Sequence, residues 1–192
     1  MTARQIWLVR HGDTEWTATG RHTSRTDVPL TERGREQART LGRVLDERDL
    51  ALVRSSPLSR AVETCRLAGL GDAMETDDDL REWDYGDDEG RTTAEIRKER
   101  PGWTVWAGSP GGEPLDDVGA RARRVLERAA SAGGDAALFS HGHYLRILGS
   151  CWLGLPPEGG RFFVLGTASI SVLGYERETR VIRHWNRVHE LG

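Results

Sequence analysis

Ile6-Trp7-Leu8-Val9-Arg10-His11-Gly12-Asp13-Thr14-Glu15 (IWLVRHGDTE) is an apolar run that stops on a cation and an imidazole and is closed by glycine. From Gln5 to Arg10 the run is too short for a helix and carries apolar residues at consecutive positions, which predicts a strand buried on both faces. A strand of that kind needs helices above and below it, so the decisive question is whether the rest of the chain supplies them.

It does, in alternation. Ala38, Leu41, Val44 and Leu45 recur at helical spacing between Thr31, a candidate N-cap, and about Arg48. Residues 51–56 (ALVRSS) read as a second strand, and Pro57 opens a helix that runs to about Leu70. A short helix over 92–100 ends at Pro101-Gly102, and a longer one carries Val118, Ala122, Val125, Leu126 and Ala129 before Gly133-Gly134. Residues 135–141 (DAALFSH) form the next strand and His143 to about Leu153 the next helix. Residues 168–176 and 180–185 then alternate like an antiparallel pair. The fold class expected is α/β, a three-layer αβα sandwich around a mostly parallel mixed sheet.

Composition agrees with one domain over residues 1–192. Hydrophobic content of 37% with seven tryptophans supports a core, while 30% charged residues and 23 glycines give a polar, loop-rich surface. A net charge of −3 with no clustered basic face excludes broad nucleic-acid binding. Residues 1–5 carry no apolar signal segment and no run approaches the ~18 apolar residues of a membrane span, so the expectation is a cytoplasmic protein with no membrane partner. Cys65 and Cys151 sit inside apolar helical patterns as free thiols.

The polar residues gather where α/β proteins bind ligands, beyond the carboxyl ends of the strands. Arg10 and His11 end the first strand, Ser55 to Arg60 spans the end of the second, and His141-Gly142-His143 ends a later one. Glu82 follows Leu80. If these points converge, the site holds two guanidinium groups, two or three imidazoles and one carboxylate, an inventory suited to a phosphate anion. A histidine in a cationic field stays neutral and can act as a nucleophile, and Gly12 lets backbone pass close to it. His141-x-His143 also has a spacing seen in metal sites, but no companion ligand motif accompanies it and no metal or organic cofactor is expected. His22, His184 and His189 read as surface residues, and Trp83, Trp103 and Trp106 either line the mouth or pack.

Four blocks, LVRHGDTEW (8–16), SSPLSRAVET (55–64), LREWDYGDDEG (80–90) and FSHGHYLRIL (139–148), together resemble the histidine phosphatase superfamily, whose fold is phosphoglycerate-mutase-like. Within it, GRHTSRTDVPLTERG and EWDYGDDEG look like a bacterial acid phosphatase branch, and DDDLREWDYG with HGHYLR is also similar to sedoheptulose bisphosphatases. The resemblance implies that His11 becomes phosphorylated, that Arg10, Arg60 and His141 hold the phosphoryl group, and that Glu82 is the general acid and base. It further implies substrate contacts from Thr17, Thr23, Ser24, Tyr85, Gly142 and His143, with Thr17 standing where many mutase-type members have asparagine. A small phosphorylated metabolite is then the substrate and inorganic phosphate the product. A cofactor-dependent phosphoglycerate mutase and a catalytically silent phospho-ligand module are the alternatives. The interval from Glu82 to His141 contains a single lysine, Lys98, rather than a long basic insertion, which favours transfer to water. The C-terminal strands offer an edge for a homodimer.

Overall fold

A computed structural model describes residues 4–45 and 48–188. Strand β1 (Ile6–Arg10) is followed by a short helix α1 (Glu15–Thr19) and by α2 (Glu32–Leu45). Next come β2 (Leu50–Ser55), α3 (Ser59–Cys65), β3 (Met74–Thr76), α4 (Thr93–Glu99) and α5 (Leu115–Ala130). The chain continues through β4 (Asp135–Ser140), α6 (Gly142–Trp152), β5 (Ser169–Glu176) and β6 (Thr179–Val188).

The six strands form one sheet in the order β3-β2-β4-β1-β5-β6. β1 and β2 both run parallel to β4, and β3 runs parallel to β2, whereas β5 and β6 join antiparallel. The opening run explains why helices cover both faces. Ile6 and Leu8 enter one apolar cluster with residues of α5 and α6, while Trp7 and Val9 enter another with residues of α2 and α3. β4 repeats the division, Ala136 and Leu138 against Ala137 and Phe139. Each of the larger side chains so buried contributes on the order of 2 kcal/mol. The α/β sandwich expected from the alternation is therefore the fold observed.

Local departures have local causes. Thr31 does cap α2, its hydroxyl accepting the Gly34 N–H at 3.1 Å, and the described helix ends at Leu45, residues 46–47 lying outside the described residues. The helix expected to reach Leu70 changes at Arg66 into a wider π turn in which Gly69 takes φ +83°, a conformation glycine adopts without strain. His184 is exposed on β6, and His189 lies outside the described residues. Cys65 and Cys151 are free and buried, and burial pushes the Cys65 thiol up to about 12. Among the described residues no helix is long and apolar enough to cross a membrane.

Candidate active site

The parallel strands β2, β4 and β1 end on the same edge of the sheet, in register. Arg10 pairs with Ser140 and Ser55 with Phe139. Pairing runs one residue further on each side: the His11 N–H donates to Ser140 O at 3.1 Å and the Ser56 N–H to Phe139 O at 2.9 Å. The two histidines therefore emerge together, their ring centroids 5.2 Å apart in an edge-to-face arrangement.

Arg60, in the first turn of α3, is fully buried behind them. Its Nε–H donates to His141 Nδ1 at 3.3 Å, so His141 carries its proton on Nε2 and directs it to Ser56 Oγ at 2.8 Å. The Arg60 terminal nitrogens donate to the Ser24 and Thr26 carbonyls at 3.0 Å each, which fastens the loop before α2 to the strand ends.

His11 is 4% exposed, and its Nδ1 lies 2.8 Å from Gly12 O. A carbonyl can only accept, so the proton sits on Nδ1 and the lone pair on Nε2. Burial, reinforced by Arg60 and Arg10, pulls the His11 pKa well below the usual imidazole value, and burial with Arg60 does the same to His141. Gly12 is required by its neighbour across the fold. A Cβ there would come within 2.3 Å of Gly34 O in α2.

The Arg10 guanidinium donates from Nη1 to Leu165 O, while its Nε is buried without a partner. It lies against the start of α6, where a Cβ on Gly142 would sit 3.2 Å from Arg10 Cζ. The same helix start holds Glu82. Glu82 Oε1 accepts the Tyr144 N–H at 2.7 Å and the Trp83 N–H at 2.9 Å, and Oε2 accepts the His143 N–H at 3.1 Å. Of the first three N–H groups of α6, only that of Gly142 is left without a protein acceptor among the described residues. A free N–H at a helix N-terminus beside an unpartnered guanidinium nitrogen is an anion-binding arrangement.

A cavity of about 190 Å³ opens here, and Arg10, His11, Glu82, Tyr85, Gly142 and His143 line it together. Thr17 and Thr23 also reach it, but their hydroxyl protons are turned to backbone, Thr17 to Thr14 O at 2.9 Å and Thr23 to Arg21 O at 3.1 Å. The Thr17 hydroxyl completes a capping box for α1. Arg60 and His141 stand behind His11 rather than in the cavity wall. Ser24 lines an adjoining cavity of about 430 Å³ that shares Glu82, and its N–H is taken by the Glu89 carboxylate at 2.8 Å. The Tyr85 hydroxyl is hydrogen-bonded to His143 Nδ1 at 2.7 Å.

Other residues enter the site without having been expected there. His22, read as a surface residue, is half-buried in the cavity wall between Tyr85 and Trp103, at ring separations of 5.1 and 5.4 Å. Trp83 and Trp103 pack beneath the wall and pin the glycine-rich segment after α4 through their indole N–H groups, to Glu113 O and Gly108 O respectively. Arg121 of α5 grips Glu113 through Nε and Nη2 at 2.8 and 2.9 Å and donates to the Asp79, Arg81 and Glu82 carbonyls. Its signal was present in the sequence, because position 121 falls on the apolar stripe marked by Val118 and Val125. Among the described residues no group of three or more His, Cys, Asp or Glu side chains is placed to hold a metal ion.

Comparison with known proteins follows the same lines. The sequence pattern of the histidine phosphatase superfamily (branch 1) matches residues 6–188. An acid phosphatase of Mycobacterium tuberculosis is 41% identical over 181 residues, covering 92% of this chain and 89% of that protein. The sedoheptulose 1,7-bisphosphatase of Saccharomyces cerevisiae is 35% identical over 189 residues, covering 81% of this chain and 69% of that one. A solved Mycobacterium tuberculosis structure superposes with a TM-score of 0.91 at 38% identity, covering 96% of this chain and 98% of that chain.

Proposed function

The chain belongs to the histidine phosphatase superfamily, and we propose that it is a phosphomonoesterase working through a phosphohistidine on His11. The observation that carries this reading is the state of that imidazole. Its Nδ1–H is held by Gly12 O, which leaves the Nε2 lone pair in a cavity shared with the partnerless Arg10 Nε and with Glu82.

In the first step the Nε2 lone pair attacks phosphorus and the P–O bond to the alcohol breaks. Glu82 gives its proton to the departing oxygen. In the second step water attacks phosphorus, Glu82 takes the water proton, and the P–N bond breaks, returning its electron pair to Nε2 and releasing inorganic phosphate. Arg10 and the Gly142 N–H bind the non-bridging oxygens. Arg60 and His141 supply positive charge and a hydrogen-bonding partner from behind. A unit cation about 4 Å from the phosphoryl charge contributes on the order of 4 kcal/mol at an effective dielectric near 20, enough that each one matters to a reaction this slow in water.

The substrate on this reading is a small phosphorylated metabolite. The two buried free thiols support a reducing, cytoplasmic setting. A homodimer would form through the outer edge of β6. The test is phosphate release from p-nitrophenyl phosphate in the presence of a chelator: wild type turns over, and His11→Ala loses on the order of 1,000-fold or more in kcat. Near-native turnover by His11→Ala refutes the assignment.

A further inference from the structure

Arg10 binds the phosphoryl group on the reading above, yet among the described residues its guanidinium has one protein acceptor, the Leu165 carbonyl, and no carboxylate within 4.0 Å. The direction of its partnerless Nε is set by that carbonyl and by packing against Gly142. Whatever holds the carbonyl therefore holds the guanidinium.

Leu165 O and the Gly166 N–H belong to one peptide group. That peptide is trans, so its plane points the C=O and the N–H in opposite directions, and a bond that fixes one end aims the other. The Gly166 N–H donates to Asn186 Oδ1 of β6 at 2.7 Å. From Asn186 to Arg10 the path is a side-chain amide, one rigid plane and two hydrogen bonds, each of which polarises the other. The flanking peptides are tied down too. The Trp185 indole N–H donates to Val164 O at 2.7 Å, and the Ser169 hydroxyl donates to Gly166 O at 2.7 Å.

The backbone of β6 departs from regular pairing to make this contact. Between the Ile170–Arg187 and Val172–His184 pairs, β6 carries Trp185 and Asn186 against the single Ser171 of β5. Such bulges re-aim side chains beside active sites. Asn186 sits in it at φ +56°, and its N–H donates to Ser171 Oγ at 3.0 Å. Two other non-glycine residues among the described residues have positive φ: Arg177, in the β5–β6 turn, and Ala168, just before β5. Asn186 takes that conformation inside a strand. Left-handed backbone is disfavoured wherever a Cβ is present and least so for asparagine and aspartate, which also carry an acceptor oxygen at the reach the Gly166 N–H requires.

We propose that Asn186 is a positioning residue for Arg10, aiming the guanidinium at the phosphoryl group through the Leu165–Gly166 peptide. The inference rests on the phosphatase reading of the His11 cavity and adds to it a residue outside the cavity wall.

Steady-state kinetics on p-nitrophenyl phosphate, with inorganic phosphate as inhibitor, test it. Asn186→Gly accepts the left-handed backbone and removes the acceptor. Its kcat/KM falls about tenfold or more, and phosphate inhibits more weakly by a similar factor. Asn186→Asp keeps the acceptor and stays within about threefold of wild type. In an Arg10→Ala background, Asn186→Gly changes kcat/KM by less than about twofold, because no guanidinium is left to aim. A general structural role predicts the same fold-loss in both backgrounds, and that result overturns the proposal. So does an Asn186→Asp loss as large as that of Asn186→Gly, or an Asn186→Gly enzyme within twofold of wild type. Should Asn186→Gly fail to fold, Asn186→Ser carries the same cycle, its hydroxyl ending one bond short of the amide oxygen: losses confined to the Arg10 background are expected, and equal losses in both overturn the proposal. A wild-type protein that releases no phosphate refutes the phosphatase reading itself, whereas release that Asn186→Gly leaves unchanged refutes only the positioning role.

Discussion

Removing the Arg121 guanidinium tests how Glu82, the proposed general acid and base, is held in place. Arg121 is one of the few buried cations, and its donors reach the Glu113 carboxylate and the backbone carbonyls of Asp79, Arg81 and Glu82. Arg121→Met keeps much of the stem's volume and its packing over Tyr144. It leaves Glu113 partly buried and unpaired, with a 22% exposed side chain. Breaking such a pair costs about 3 kcal/mol, discounted from the buried limit for that exposure, which lowers Tm by roughly 6–12 °C in a chain of this size. The Glu82 backbone also loses its anchor, so kcat falls on the order of 10- to 100-fold while KM stays within about threefold. Adding Glu113→Leu removes the stranded carboxylate and recovers part of the stability but none of the kcat. Urea titrations and steady-state kinetics on the three proteins measure both quantities. An Arg121→Met enzyme that melts within about 2 °C of wild type and keeps kcat within twofold refutes the reasoning. So does a double variant in which kcat recovers together with stability.

Gly142→Ala places a methyl group 3.2 Å from Arg10 Cζ. The fold survives because a side-chain end can shift, and phosphate release slows at least about tenfold, which kinetics beside an unchanged melting curve would establish. Stability should also fall in mild acid. Burial keeps His11, His141 and His143 neutral in the folded state well below the usual imidazole pKa, reinforced by Arg60 for the first two and by Arg146 for the third. Their unfolded counterparts bind protons near pH 6.5, so the unfolded state holds more protons and folding weakens as pH drops below about 6.5, down to each folded pKa. Each such imidazole contributes up to about 1.4 kcal/mol per pH unit, and His11→Asn should reduce the slope between about pH 6 and pH 5 by one such share. A pH-independent urea midpoint across that interval contradicts it.

Much of the fold was legible because its information is periodic and local. Ile6 to Val9 is apolar on both faces, which requires two covering layers, and the helical spacing of Ala38, Leu41 and Leu45 supplies one of them. Elements without a long pattern escaped. α1 is five residues held by the Thr14–Thr17 capping box, and β3 is three residues paired, among the described residues, with β2 alone. The strand-end residues of the site were legible as types, but their meeting depends on pairing between β1 and β4, far apart in sequence, which no local pattern encodes. The same holds for direction. A threonine can donate a hydrogen bond to a ligand, yet whether Thr17 does so depends on the carbonyl of Thr14 lying 2.9 Å away. His22 reads as a surface imidazole until Tyr85 and Trp103 close around it.

The most direct measurement is a rapid-quench trap of the enzyme turning over a phosphorus-labelled monoester, followed by peptide mapping. A covalently bound, acid-labile and alkali-stable phosphoryl group on the peptide containing His11, accumulating in Glu82→Gln and absent from His11→Asn, is the predicted outcome. Full turnover with no label on that peptide, or with the label on another side chain, contradicts the account.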